Sequence, residues 1–208
     1  MWPKSRINNV KVIIFDCDGV MFDSRNANIA FYNTILAHFE KPPLSEDALA
    51  VVHMSTAEES INYLFHNDPR LHEAQKYRTR VDYQQFIPYM TMEPFLEEVL
   101  EGLKKKYQLA VATNRSNTIN PLLAFFKLDR FFEKVVSALD VTNPKPHPEA
   151  IFKIVNQFGI DACEAVFVGD SPVDRETAKQ AKVFFVAYKK SFIHADHHID
   201  DLRELLFL

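Results

Sequence analysis

Cysteine and glycine are both scarce in this chain of 208 residues, which holds two of the former and four of the latter. Two cysteines, Cys17 and Cys163, do not indicate a disulfide framework and fit a reducing cytoplasm. So few glycines make Gly19 and Gly169 conspicuous. Both stand beside aspartates, where a glycine lets the backbone turn sharply or approach a ligand closely. Positive charge is not in excess either: a formal net charge of −4 leaves no electrostatic footprint for nucleic acid or an anionic membrane. No run reaches the ~18 consecutive apolar residues that a membrane span requires. Residues 1–9 lack the apolar stretch of a secretory signal. There is no internal repeat and no low-complexity segment.

Core-forming residues, by contrast, are plentiful. The chain is 47% hydrophobic and 12% aromatic, enough for a sizeable core, and its length allows one domain carrying a smaller insertion. The apolar run Val12-Ile13-Ile14-Phe15 reads as a buried strand and ends in Asp16-Cys17-Asp18-Gly19. Side chains alternate along a strand, so the two aspartates point one way and Cys17 the other. An acidic pair at the end of a buried strand is costly unless a cation or a reacting ligand offsets it. Open α/β sheets bind ligands at that end. The pair therefore points to phosphate or metal handling.

Counter-charges follow downstream. Leu109-Ala110-Val111 leads into Thr113-Asn114-Arg115, and Val135-Val136 leads through a polar loop to Lys145. Ala165-Val166-Phe167-Val168 leads into Gly169-Asp170-Ser171-Pro172-Val173-Asp174. Each cluster sits just past a predicted strand, so four strands should bring their polar ends to one edge of a parallel sheet.

Between Gly19 and about Leu109 the strand signal is missing. Residues 26–39 carry apolar positions at helical spacing, and Pro42 and Pro43 end that segment. Ser45 is a plausible N-cap, Ser55-Thr56-Ala57-Glu58 reads as a capping box, and Asp68-Pro69 opens a further helix through about Phe86, closed by Pro88. This helical insertion, residues 24–88, is too long for an ordinary loop. It divides the chain into an α/β core, residues 1–23 and 89–208, and a small all-helical unit. After it, helices over 94–106, 119–126, 148–158 and 173–181 alternate with strands near Leu109, Val135, Val166 and 183–186. That alternation predicts a Rossmann-like parallel sheet with helices on both faces.

The ordered set D-x-D-G, T-N, K-P-x-P-E and G-D-S-x-x-D resembles the haloacid dehalogenase superfamily, in its branch related to phosphoglycolate phosphatase and β-phosphoglucomutase. The resemblance covers nearly the whole chain and makes the insertion a helical cap. It implies a Mg²⁺-dependent phosphohydrolase of a small phosphorylated metabolite. Asp16 would be the nucleophile forming an aspartyl-phosphate, and Asp18 the acid and base. Asp16, the backbone carbonyl of Asp18 and Asp170 would hold the metal, with Asp174 behind them. Thr113, Asn114 and Lys145 would cradle the phosphate. Some relatives have an acidic residue immediately before the last motif's aspartate; here Gly169 supplies no ligand. The turn over residues 52–55 corresponds to a substrate-contacting region of relatives, which makes His53 and Ser55 candidate cap contacts.

Taken singly, each cluster has a plainer reading. D-x-D is a common turn, Lys145 a solvated loop residue, and Asp170-Ser171-Pro172 an N-cap with a first-turn proline, in which Asp170 could cap as well as ligate. Arg115 either reaches substrate or faces solvent. His194, His197 and His198 lie beyond the last predicted strand and read as exposed loop residues. A phosphomutase remains open on the same fold, as does a phospho-accepting signalling protein or a non-catalytic binding protein. The helical insertion and the Asp170/Asp174 pair argue against a signalling receiver.

Overall fold

The computed structural model describes residues 9–208, apart from the side chains of His53 and Met54. The reading of residues 1–9 therefore lies, Asn9 excepted, outside the described residues. The chain forms two compact units, Met1–Asp23 with Met92–Leu208, and Ser24–Thr91. The second runs three residues beyond the expected boundary, because Pro88 does not close a helix. It lies within a 3₁₀ segment, Tyr83–Tyr89.

The first unit is built on a six-stranded parallel sheet in the order β5-β4-β1-β6-β7-β8. Its strands are β1 Val12–Phe15, β4 Gln108–Ala112, β5 Lys134–Val136, β6 Ala165–Gly169, β7 Phe184–Tyr188 and β8 His197–Ile199. Two short strands, β2 Phe22–Asp23 and β3 Thr91–Met92, pair separately. Every residue of β1, β6 and β7 is buried, as expected of parallel strands covered on both faces. Val12 and Ile14 of β1 join Ala110, Phe167 and Phe185 in one core layer.

That layer also takes in Ile151 and Ile154 of one helix, Glu149–Phe158, and Ala178 and Ala181 of another, Pro172–Ala181. A third helix, Leu96–Leu103, buries Leu96, Val99, Leu100 and Leu103. That is the i, i+3, i+4, i+7 stripe of an amphipathic helix, each such side chain worth about 1.5–3 kcal/mol when fully buried. The helix Ile119–Phe125 completes the set between β4 and β5.

Register places the site. Phe15 is level with Val111 of β4 and with Val168 of β6, so the segments leaving these three strands emerge side by side. Strand β8 was not legible in the sequence. It is a three-residue edge strand containing His197 and His198, and it carries the sheet one strand further than expected.

The second unit is helical: Arg25–His38, Glu46–Met54, Ala57–Leu64, Leu71–Arg78 and the 3₁₀ segment. Phe31 sits among Tyr32, Tyr83 and Phe86, and Phe39 packs on Phe65 and Tyr77. Two sequence expectations shift here. The capping box is Thr56 with Glu59, one residue on from the Ser55/Glu58 reading, and Ser55 instead ends the preceding helix with its hydroxyl donating to Val51 O. Asp68 does not open the next helix, whose N-cap is Arg70 and which stops at Arg78. The Asp68 carboxylate accepts from Arg70 and Lys41, and these bonds hold it well below the usual carboxylate range.

Candidate active site

Strand β1 stops at Phe15, and the Asp16 amide donates to Val168 O at 2.9 Å. Asp16 is thereby fixed just past the sheet edge, 7% exposed, with Cys17 fully buried behind it. Burial pushes the Cys17 thiol up, so it stays neutral. The chain then turns at Gly19, whose φ is +78°. A Cβ there would lie 2.2 Å from Asp170 Oδ2, so both the backbone angle and the neighbouring carboxylate demand glycine. Gly19→Ala should therefore displace Asp170. In thermal melts, the expected result is a weaker stabilisation by added Mg²⁺ than in the wild type.

Lys145 lies between two carboxylates. Its Nζ donates to Asp16 Oδ1 at 2.7 Å and to Asp174 Oδ1 at 2.6 Å, and its side chain is 3% exposed. The other Asp174 oxygen accepts from the Ser171 amide, the Ser171 hydroxyl and the Asp170 amide. Ser171 is the N-cap of the helix Pro172–Ala181, in a capping box with Asp174. Asp170 is thus not the cap: the hydroxyl one residue on reaches the first-turn amide, leaving the Asp170 carboxylate to the site. A Cβ at Gly169 would stand 2.4 Å from that of Asp174, which accounts for the missing acidic residue at this position.

One oxygen from each of Asp16, Asp170 and Asp174 lies within 4.8 Å of the others. Burial and the charge of Asp174 push Asp16 up to about 8, against the pull of Lys145. Burial, then Asp174, raises Asp170 to about 6. Burial opposes the charge on Lys145, yet the two carboxylates outweigh it and hold its ammonium above the usual lysine range. Without a metal Asp16 keeps its proton at neutral pH; fully ionised, three carboxylates against one ammonium would carry two uncompensated negative charges, the charge of one divalent cation. Like charges at 4 Å repel by about 4 kcal/mol at an effective dielectric of 20, so the cluster favours taking one up. Asp174 is saturated by its donors. Among the described residues nothing donates to the Asp170 carboxylate, which leaves Asp170 and Asp16 as the groups with capacity to bind. An all-oxygen set of this kind suits Mg²⁺.

Asp18, one residue beyond Cys17, turns to a different partner. Arg115 grips its carboxylate with two bonds, Nη2 to Oδ1 at 2.6 Å and Nε to Oδ2 at 2.8 Å. The Arg115 side chain is 8% exposed, so of the two sequence alternatives solvent is excluded. Thr113 is buried at the end of β4, and its hydroxyl accepts from the Arg115 amide. The Asn114 side chain is engaged with the backbone of Lys145, donating to its carbonyl and accepting from its amide.

Glu149, the last residue of the K-P-x-P-E motif, is a holding residue whose task the sequence did not reveal. Its carboxylate accepts from the amides of Thr142 and Asn143, both at 3.0 Å. The signal available was its position just after Pro148, at the start of a helix behind the Lys145 loop. These amides lower its pKa to about 2, below its ordinary 4.5. The stabilisation is present above pH 4.5 and lost as pH falls towards 2. Glu149→Gln should lower stability at neutral pH and flatten that acid limb, as read by denaturant melts at pH 7 and pH 3.

The remaining candidates lie on other elements. Ser55 belongs to the helical unit, as does His53, whose side chain lies outside the described residues. His194 and His198 are exposed and His197 half-buried, and His198 Nε2 pairs with Ile193 O. Among the described residues the only metal-competent group is the aspartate cluster.

A parallel sheet with a buried Asp–Lys–Asp bridge and a neighbouring acidic group defines a class, and comparison with known proteins agrees. The family described as haloacid dehalogenase-like hydrolase matches residues 13–188, and the chain belongs to it. A crystal structure from Geobacter sulfurreducens, described as a HAD-superfamily hydrolase of subfamily IA, variant 1, is 41% identical. It superposes with a TM-score of 0.87 over 96% of both chains. Among curated relatives, a phosphoglycolate phosphatase of Pseudomonas savastanoi pv. phaseolicola is 30% identical over 94% of this chain and 78% of its own length. A pyrophosphatase PpaX of Bacillus velezensis is 30% identical over 83% of this chain and 80% of its own.

Proposed function

We propose that this protein is a Mg²⁺-dependent phosphatase of a small phosphorylated metabolite, working through an aspartyl-phosphate on Asp16. The observation that carries the reading is Lys145, buried and bonded to both Asp16 and Asp174 beside the Asp170 carboxylate. Relatives named phosphoglycolate phosphatase and pyrophosphatase support the reaction class and a small phosphorylated substrate. Two free cysteines support the cytoplasm as its setting.

Asp16 attacks phosphorus as the bond to the leaving oxygen breaks, and Asp18, after one of its oxygens has left Arg115 and taken up a proton, gives that proton to the leaving oxygen. Asp18 then takes a proton from water, whose oxygen attacks phosphorus while the bond to Asp16 breaks, releasing phosphate. Lys145 offsets negative charge on the nucleophile and the phosphoryl oxygens. Thr113 donates its hydroxyl to one of those oxygens. Arg115 fixes the Asp18 side chain before substrate arrives. Asp16, the Asp18 carbonyl and Asp170 would hold Mg²⁺, which when bound neutralises phosphoryl charge; Asp174 anchors Lys145 and the Ser171 turn behind them.

The test is a panel of phosphorylated metabolites, including phosphoglycolate, pyrophosphate, sugar phosphates and nucleoside monophosphates, assayed with Mg²⁺ and with chelator. Mg²⁺-dependent phosphate release from at least one is expected, abolished by chelation. Equal release with and without chelator would refute the metal dependence, and no release from any would refute the phosphatase.

A further inference from the structure

Lys145 is carried on an irregular loop, between a 3₁₀ turn over Ala138–Asp140 and the helix Glu149–Phe158. A loop needs something to hold its backbone polar groups when its lysine must stay buried. Two side chains do this. Asn114 Oδ1 accepts from the Lys145 amide at 3.0 Å, and Asn114 Nδ2 donates to the Lys145 carbonyl at 2.9 Å. Only one orientation of the amide satisfies both bonds, so the network itself settles which atom is oxygen. At the other end, Glu149 accepts from the amides of Thr142 and Asn143 and from the Asn143 side chain. The lysine is thus fixed at its root by partners separate from those of its head, Asp16 and Asp174.

From this geometry we infer that Asn114 and Glu149 are positioning residues for Lys145, and that the Asn114 side chain acts through the lysine rather than on the phosphate. This rests on the reading of Lys145 as the phosphoryl-neutralising group. Asn114 follows Thr113 at the end of β4, 31 residues before the lysine, so one strand end sets both the hydroxyl and the ammonium of the cradle. A shift of about 1 Å at a reacting group can lower turnover by about 10²-fold.

The experiment compares wild type, Asn114→Ala, Glu149→Ala, Lys145→Met and the double variant Asn114→Ala/Lys145→Met on an aryl phosphate with Mg²⁺. In parallel, acylation of Lys145 by an amine-reactive reagent is followed by peptide mass spectrometry, with exposed Lys179 as reference. Asn114→Ala should lower kcat by about 10- to 100-fold with little change in KM. It should also speed Lys145 acylation by about tenfold or more, and Glu149→Ala should speed it in the same direction. With Lys145→Met already present, Asn114→Ala should cost little further.

A raised KM in Asn114→Ala, with Lys145 as protected as in the wild type, would overturn the inference and assign the amide to phosphate. Fully additive losses would overturn it too. Should Lys145→Met fail to fold, the acylation rates of the single variants decide alone. Undiminished turnover in a folded Lys145→Met would instead sink the reading of the lysine, whatever the acylation shows.

Discussion

Asp16→Asn is expected to lower Mg²⁺-dependent phosphate release by at least about 10⁴-fold, the order seen when a covalent nucleophile is removed. The substitution changes little else, because Asn has the shape of Asp and keeps an oxygen for Lys145. Its effect on stability should run the other way. Burial and Asp174 raise the Asp16 carboxyl to about 8, above its ordinary 3.8. A raised carboxyl contributes stability that is full below pH 3.8 and lost as pH climbs through 8. The metal-free wild type should therefore weaken between pH 5 and pH 8.5 more than Asp16→Asn does, as followed by denaturant melts. A variant that is inactive but declines as steeply as the wild type would place the raised group elsewhere.

Lys145→Met has the second large effect, and here activity and stability fall together. Removing the ammonium leaves Asp16 and Asp174 facing each other without compensation, a loss of about 3–5 kcal/mol for breaking a buried pair. Turnover should fall by about 10²-fold or more, the scale of a lost electrostatic contact to a transition state. Adding Asp16→Asn to Lys145→Met should recover part of the stability and none of the turnover. Strictly additive destabilisation would show that the two carboxylates do not share the lysine's charge.

Much of this was legible in the chain because strand ends carry chemistry. Four apolar runs each led into a polar cluster, and parallel register brings clusters at equal strand positions to one edge, as Phe15, Val111 and Val168 do. What escaped depends on contacts that no local pattern encodes. The Asn114 amide meets a backbone 31 residues away, and Arg115 finds Asp18 across 97. Both look like ordinary loop residues until the sheet has formed.

Ser45 caps its helix as expected, its side chain accepting from the Ala48 amide; the caps that differ do so for another reason. Ser55/Glu58 and Thr56/Glu59 are overlapping patterns one residue apart, and Asp170 and Ser171 are both good N-caps, so tertiary context decides. Strand β8 has three residues, two of them histidine, and no hydrophobic alternation to announce it. Its pairing to Tyr188 and Ala187 makes it a strand.

The most direct measurement is chemical trapping of the enzyme during turnover. Acid quenching within milliseconds, borohydride reduction of any acyl-phosphate and peptide mass spectrometry report which carboxyl had been phosphorylated. Modification at residue 16 is expected, absent without Mg²⁺ or substrate. An unmodified residue 16 under burst conditions, or label on a different side chain, would contradict a nucleophilic Asp16.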